Sequence, residues 1–224
     1  MRDNGCRDFC AHARHSSAPP PPATRPRASW RDFRGRLRGM DAGSVDRSLG
    51  ILGQTASVDS PATLALQSNG AILAAGRSIT GVAPPTAFTG NPTGFGIVRF
   101  NSNGSIDTTF GSHGGLITTF PGMNFGEIAA IALQTNGDIV AAGQAGFAPS
   151  NQSQFTSSFA LARYLSSGQL DSTFGNGGRV AHSFGNTNVA FISGMAIQAD
   201  GKIVVAGVTG DSVGNIAVAR YLTQ

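Results

Sequence analysis

The chain is short of most of the residues that carry chemistry. It has 224 residues, of which two are Cys, one is Trp, one is Lys (Lys202) and one is Glu (Glu127). Both cysteines, Cys6 and Cys10, lie near the N-terminus, so neither a disulfide framework nor a cysteine–zinc site can hold the rest of the chain. A single Glu leaves no pair of glutamates for glycoside hydrolysis, and the Asp residues mostly recur at equivalent turn positions. No run of 18 or more apolar residues exists, so no membrane insertion is expected. There is no helical periodicity, and therefore no glycine loop opening a helix to cradle phosphate.

Positive charge is also scarce outside the first 40 residues. Residues 1–40 carry nine Arg against Asp3, Asp8 and Asp32, a net +6, whereas residues 41–224 hold six Arg and Lys202 against eight Asp and Glu127, a net −2. The high isoelectric point belongs to the leader alone, and no nucleic-acid partner is expected for the remainder. The leader is rich in Arg, Pro, Ser and Ala, lacks the apolar core of a secretory signal and is expected to be disordered. It reads either as a transit peptide or as translated upstream sequence with the true start at Met40. Cys6, Cys10, His12 and His15 do not have the spacing of a common structural metal site.

What is present is repetition. The segment from Ala65 to Gly76 (ALQSNGAILAAG) recurs from Ala132 to Gly143 (ALQTNGDIVAAG) and from Ala196 to Gly207 (AIQADGKIVVAG). A period near 60 residues marks stacked or radially arranged units. Some intervals are fixed: Arg99 to Phe110 and Arg163 to Phe174 are both 11 residues, and Phe120 to Gln134 and Phe184 to Gln198 are both 14. One interval varies: Gly76 to Arg99 is 23, Gly143 to Arg163 is 20 and Gly207 to Arg220 is 13. Length variation confined to one loop type, here residues 77–94, 144–158 and 208–215, places insertions on one face, often a binding face.

Each unit reads as four short strands. In the middle copy these are Ile128–Gln134, Ile139–Gly143, Phe159–Tyr164 and Arg179–Phe184, with a hairpin at Thr135-Asn136-Gly137. The first two are apolar without alternation, which implies burial on both faces, as when successive sheets stack face to face. The expected fold is all-β, a β-propeller-like array of four-stranded antiparallel blades with about three repeats. The units span about 59–120, 121–184 and 185–224, the last completed by residues 43–58, so that the repeat domain covers 41–224 beyond the leader, 1–40.

The segments FALARY (159–164), QLDSTFGNGGRV (169–180) and QADGKIVVAG (198–207) resemble the bacterial delta-60 repeat family. The resemblance covers residues 43–224. It implies a β-propeller, a setting in long proteins that are often secreted or at the cell surface, and no settled activity, cofactor or catalytic residue. Composition low in charge also suits an extracytoplasmic setting, although no signal peptide is seen.

Arg99 precedes Asp107 by eight residues, as Arg163 precedes Asp171, while Arg220 and Asp46 each lack a partner nearby. This predicts an Arg–Asp pair in each unit, with Arg220 and Asp46 meeting where the ring closes. The competing reading is that each Asp caps its own turn and each Arg reaches solvent. Leu49, Phe110 and Phe174, at equivalent positions, are expected to plug the gap between blades. Phe88, Phe147 and Phe155 on the variable loops are candidate contacts for a protein or carbohydrate, or else fold back on the blade edge. Three blades fall below the usual four to eight. A piece of a longer repeat protein, a head-to-tail homodimer with six blades, or a closed three-fold barrel would each account for the count. His113, His182, Glu127, Asp138 and Asp211 break the repeat symmetry, and an enzyme would need several of them in one cleft. A binding or scaffold module is the expected function, with a propeller hydrolase acting on a polysaccharide or lactone as the alternative.

Overall fold

A computed structural model describes residues 58–80, 92–148, 155–184, 189–210 and 214–223, all within one compact unit, Asp46–Gln224. The leader, Asp46, Leu49, Phe88 and Asp211 lie outside the described residues. Every regular element among the described residues is a strand. The first sheet pairs β1 (Ser60–Leu66), β2 (Ile72–Ile79), β3 (Thr93–Phe100) and β4 (Gly115–Thr118) in that order. The second pairs β5 (Phe125–Leu133), β6 (Ile139–Phe147), β7 (Thr156–Tyr164) and β8 (Arg179–His182), and the third β9 (Ala190–Ile197), β10 (Ile203–Thr209) and β11 (Asn215–Tyr221). All neighbouring strands are antiparallel. No helix among the described residues is long and apolar enough to cross a membrane.

Why the strands do not alternate in polarity is visible in the middle sheet. On β6, Ile139, Ala141 and Ala145 enter a core shared with the first sheet, while Val140 and Ala142 enter one shared with the third. On β7, Ala160, Ala162 and Tyr164 face the first core, and Phe159 and Leu161 face the second. Side chains still point to opposite faces in turn, but both faces are dry. Each sheet meets the one before it mainly through its first strand: β5 lies against β1, β2 and β3, and β9 against β5, β6 and β7. Among the described residues the three sheets do not close on one another; they are separate sheets in a row and not a closed three-fold barrel.

The repeated segment is built around a bulge. In each first strand the register slips by one residue, between Pro61 and Thr63, between Ile128 and Ala130, and between the partners of Ala206 and Gly207. The glycine ending the repeated segment lies opposite. A Cβ on Gly76, Gly143 or Gly207 would sit 2.0, 2.0 or 1.9 Å from the carbonyl oxygen of Ser60, Glu127 or Phe191. These glycines do not turn the chain; they let the bulged backbone approach. Turning belongs to Gly70, Gly137 and Gly201, at φ of 82°, 89° and 83°.

The second and third strands run further than expected, to Phe147 on β6 and from Thr156 on β7. The polar residues that hide this extension are satisfied inside it. Ser157 is buried and its hydroxyl exchanges hydrogen bonds with the backbone of Ala190, the first residue of β9, at 3.0 Å each way. At the preceding junction the amide of Gly126 donates to the Thr93 hydroxyl at 3.2 Å. An equivalent hydroxyl thus ties each of the first two sheets to the next.

Candidate functional site

The chemistry-bearing side chains gather at the end of the sheets where the hairpin turns and the connections after β3 and β7 lie. Arg99 Nε donates to Asp107 Oδ2 at 2.8 Å, and Arg163 Nε donates to Asp171 Oδ2 at 2.7 Å. The other carboxylate oxygen of each Asp accepts from the amide and hydroxyl two residues on, Thr109 and Thr173, at 2.6–3.0 Å. The two readings of these aspartates are therefore not exclusive: one oxygen caps the turn and the other receives the guanidinium. The threonine hydroxyl bond, opposed by burial and aided by the guanidinium charge, holds both carboxyls below the usual Asp range.

Each guanidinium also lies over a phenylalanine. Arg99 Cζ is 4.6 Å from the centre of Phe110, and Arg163 Cζ is 4.9 Å from that of Phe174. Phe110 is buried in the core between the first and second sheets and Phe174 in the core between the second and third. Both fill the space between neighbours at the turn end. Phe110 abuts Gly168, where a Cβ would come within 2.8 Å of the ring.

Here the repeats stop being equivalent. Arg99 Nη1 donates across the gap to the carbonyl of Ser166 at 2.7 Å, closing the junction of the first and second sheets. The residue matching Ser166 in the third unit is Thr223, and Arg163 makes no bond to it. Arg163 Nη2 turns instead to the Thr173 hydroxyl at 3.0 Å, and its Nη1 has no hydrogen-bond partner among the described residues. What opens is a cleft of about 610 Å³ between the second and third sheets. Arg163, Asp171 and Thr173 line one side, Gln134 and Asn136 the floor of a hairpin, and Gln198 and Thr223 the facing sheet. Gln134 Nε2 reaches the Gly201 carbonyl at 3.4 Å, while its Oε1 is buried without a partner.

The other asymmetric residues do not join this cleft in a catalytic set. Asp138 lines it but is held by Asn136, whose amide donates at 2.7 Å. Glu127 accepts from Gln144 Nε2 at 3.4 Å on the paired strand. His182 packs edge-on against Phe184 and Tyr221, with ring centres 4.8 and 6.5 Å away. His113 stands in the turn before β4 at φ 56°, where the matching residue of the next unit is Gly177 at φ 59°. Among the described residues no three His, Cys, Asp or Glu side chains are grouped to hold a metal ion.

At the opposite end, where the variable loops begin, Phe155 packs edge-on against Phe125 at 5.7 Å and stacks on Phe191 at 6.4 Å. It folds back across the second and third sheets, whereas Phe147 is half exposed. Arg220 is exposed on β11. The unsatisfied arm of Arg163 was beyond sequence reasoning: its distinguishing signal is a contact that fails to form, not a residue type.

Comparison with known proteins agrees with the architecture and assigns no chemistry. No curated protein matches the chain. The family model described as "Domain of unknown function (DUF5122) beta-propeller" matches residues 67–110, 134–174 and 198–224, segments that each begin at the repeated Gln67, Gln134 and Gln198 and together span half of the chain. The chain belongs to this β-propeller family of unknown function.

Proposed function

We propose that the domain is a non-catalytic binding or scaffold module, taking a protein or carbohydrate partner at the cleft between the second and third sheets. The observation that carries this reading is the free arm of Arg163, which its repeat counterpart Arg99 uses against Ser166. A guanidinium nitrogen without an acceptor, beside the Thr173 hydroxyl and the amides of Gln134 and Gln198, suits a carboxylate or a sugar hydroxyl. Asp171 is a poor general base, because both of its oxygens are already engaged and its carboxyl is held at low pKa. At the other end Phe147 is half exposed beside an interval whose length differs from unit to unit, which makes it a second candidate contact.

The test is retention of the full chain on an array of oligosaccharides and an array of acidic and neutral peptides. Thr135 lines the cleft and is exposed, so Thr135→Trp is expected to block the cleft without disturbing the fold. Binding to one of the two classes, lost in that variant and kept in Phe147→Ala, supports the cleft. Binding indifferent to Thr135→Trp overturns it. Cleavage of a retained oligosaccharide or lactone overturns the non-catalytic reading in favour of a hydrolase.

A further inference from the structure

The two outermost sheets expose the two halves of an interface that the molecule already builds twice. In the internal junctions the first strand inserts. Ile131 and Leu133 of β5 pack into the first core, and the matching Met195 and Ile197 of β9 pack into the second. The matching residues of β1 are Leu64 and Leu66, which no sheet among the described residues precedes, and each is 65 % exposed. The receiving surface behaves in the same way. Phe95 and Ile97 of β3 receive β5, and Phe159 and Leu161 of β7 receive β9; all four are fully buried. Their counterparts on β11 are Ile216 and Val218, which are 86 % and 64 % exposed.

Scattered apolar residues on a surface need no explanation, but matched inserting and receiving sets do. We propose that a second copy of this chain docks head to tail on these faces, β1 of one protomer packing on β10 and β11 of the other. The contact is heterologous, so the described sheets of one copy leave one inserting and one receiving face unfilled, and two copies satisfy both by closing a ring. Six sheets then fall within the usual propeller range. The match is not complete. Gly214 stands where Thr93 and Ser157 supply the junction hydroxyl, so the contact between copies rests on apolar burial. On the first sheet it is confined to β1, because Val98 on the same sheet is buried.

Light scattering and sedimentation of the full chain test this, with two double variants: Leu64→Asp with Leu66→Asp, and Ile216→Asp with Val218→Asp. The unmodified chain is expected at twice its 22.9 kDa mass. Each variant is expected to be a monomer, its dimer Kd raised more than about 100-fold by charge placed in an apolar contact. Mixing the two variants is expected to restore a dimer, since one intact inserting face then meets one intact receiving face. A monomeric unmodified chain, a dimer that survives either variant, or a ladder of larger assemblies overturns the proposal. If circular dichroism shows that an Asp variant has lost its strands, Leu66→Ser and Ile216→Thr serve in its place with the same readout.

Discussion

Gly143 lies so close to Glu127 on the paired strand that a methyl group on it would stand 2.0 Å from the Glu127 carbonyl oxygen. The clash is with backbone, which cannot swing aside, and it occurs at a bulge that the fold repeats in every sheet. Gly143→Ala is expected to destabilise the domain by on the order of 3 kcal/mol, at the upper end of overpacking costs. Gly194→Ala is the contrast. A Cβ there meets nothing within 4 Å, and the matching residue in the second unit is already Ala130. That variant is expected to be neutral or to stabilise by about 0.5 kcal/mol, by reducing the freedom of the unfolded chain. Urea unfolding of the two proteins separates them, and equal midpoints would sink the bulge argument.

The two Arg–Asp pairs should respond unequally to truncation. Arg163 and Asp171 are both buried, while the side chains of Arg99 and Asp107 keep 14 % and 16 % of their surface. Arg163→Ala leaves a buried carboxylate without its counter-charge and is expected to cost about 3 kcal/mol. Arg99→Ala leaves a partly hydrated one and also removes the bond to Ser166, for an expected loss of about 1–2 kcal/mol. A chemical denaturation series in which Arg99→Ala proved the more damaging would contradict the burial order.

Acid should unfold the domain through these same carboxyls. Asp107 and Asp171 titrate lower when folded than when unfolded, chiefly because Thr109 and Thr173 hydroxyls bond their charged forms. Such groups contribute stability above the unfolded value, about 3.9, and lose it as pH falls through the lower folded value. The urea midpoint is therefore expected to be level near neutrality and to drop below about pH 4. In Asp171→Asn with Asp107→Asn the drop should be shallower. An acid limb of unchanged steepness would assign it to other groups.

The two tyrosines occupy repeat-equivalent positions and differ in one bond. Tyr164 donates its hydroxyl to Thr118 Oγ1 at 2.9 Å inside the core, while the Tyr221 hydroxyl is buried without a partner. Tyr164→Phe is expected to cost about 1 kcal/mol, because the buried Thr118 hydroxyl loses its donor. Tyr221→Phe is expected to cost nothing or to stabilise slightly. Burial raises both phenols, that of Tyr221 to about 12. A phenol raised on folding supports the native state below its unfolded value near 10 and withdraws that support as pH climbs to the folded one. Ultraviolet titration of the folded protein should thus show little phenolate near pH 10, and free ionisation there would contradict the burial of both rings.

Repetition made the architecture legible. The recurrence of Ala65–Gly76 at fixed spacing, the Asn-Gly and Asp-Gly turns and the unbroken apolar strands are local properties, and they point to repeated antiparallel sheets whose faces are dry where a neighbouring sheet covers them. The eight-residue offset between Arg99 and Asp107, and between Arg163 and Asp171, gave the pairs in the same way, because a strand end and the turn that follows it are joined by a short, fixed path. The role of Gly76, Gly143 and Gly207 was not legible. A glycine required by close approach and one required by positive φ look alike in a sequence, and only the bulge on the paired strand tells them apart. The cleft was hidden for a related reason. Arg99 and Arg163 are identical residues in identical local settings, and what separates them is whether the facing sheet presents a carbonyl within reach. Tertiary structure alone decided that, as it decided that within one copy Leu64 and Ile216 are exposed while their repeat counterparts are packed between sheets: burial depends on whether a neighbouring sheet is there, which no residue encodes by itself.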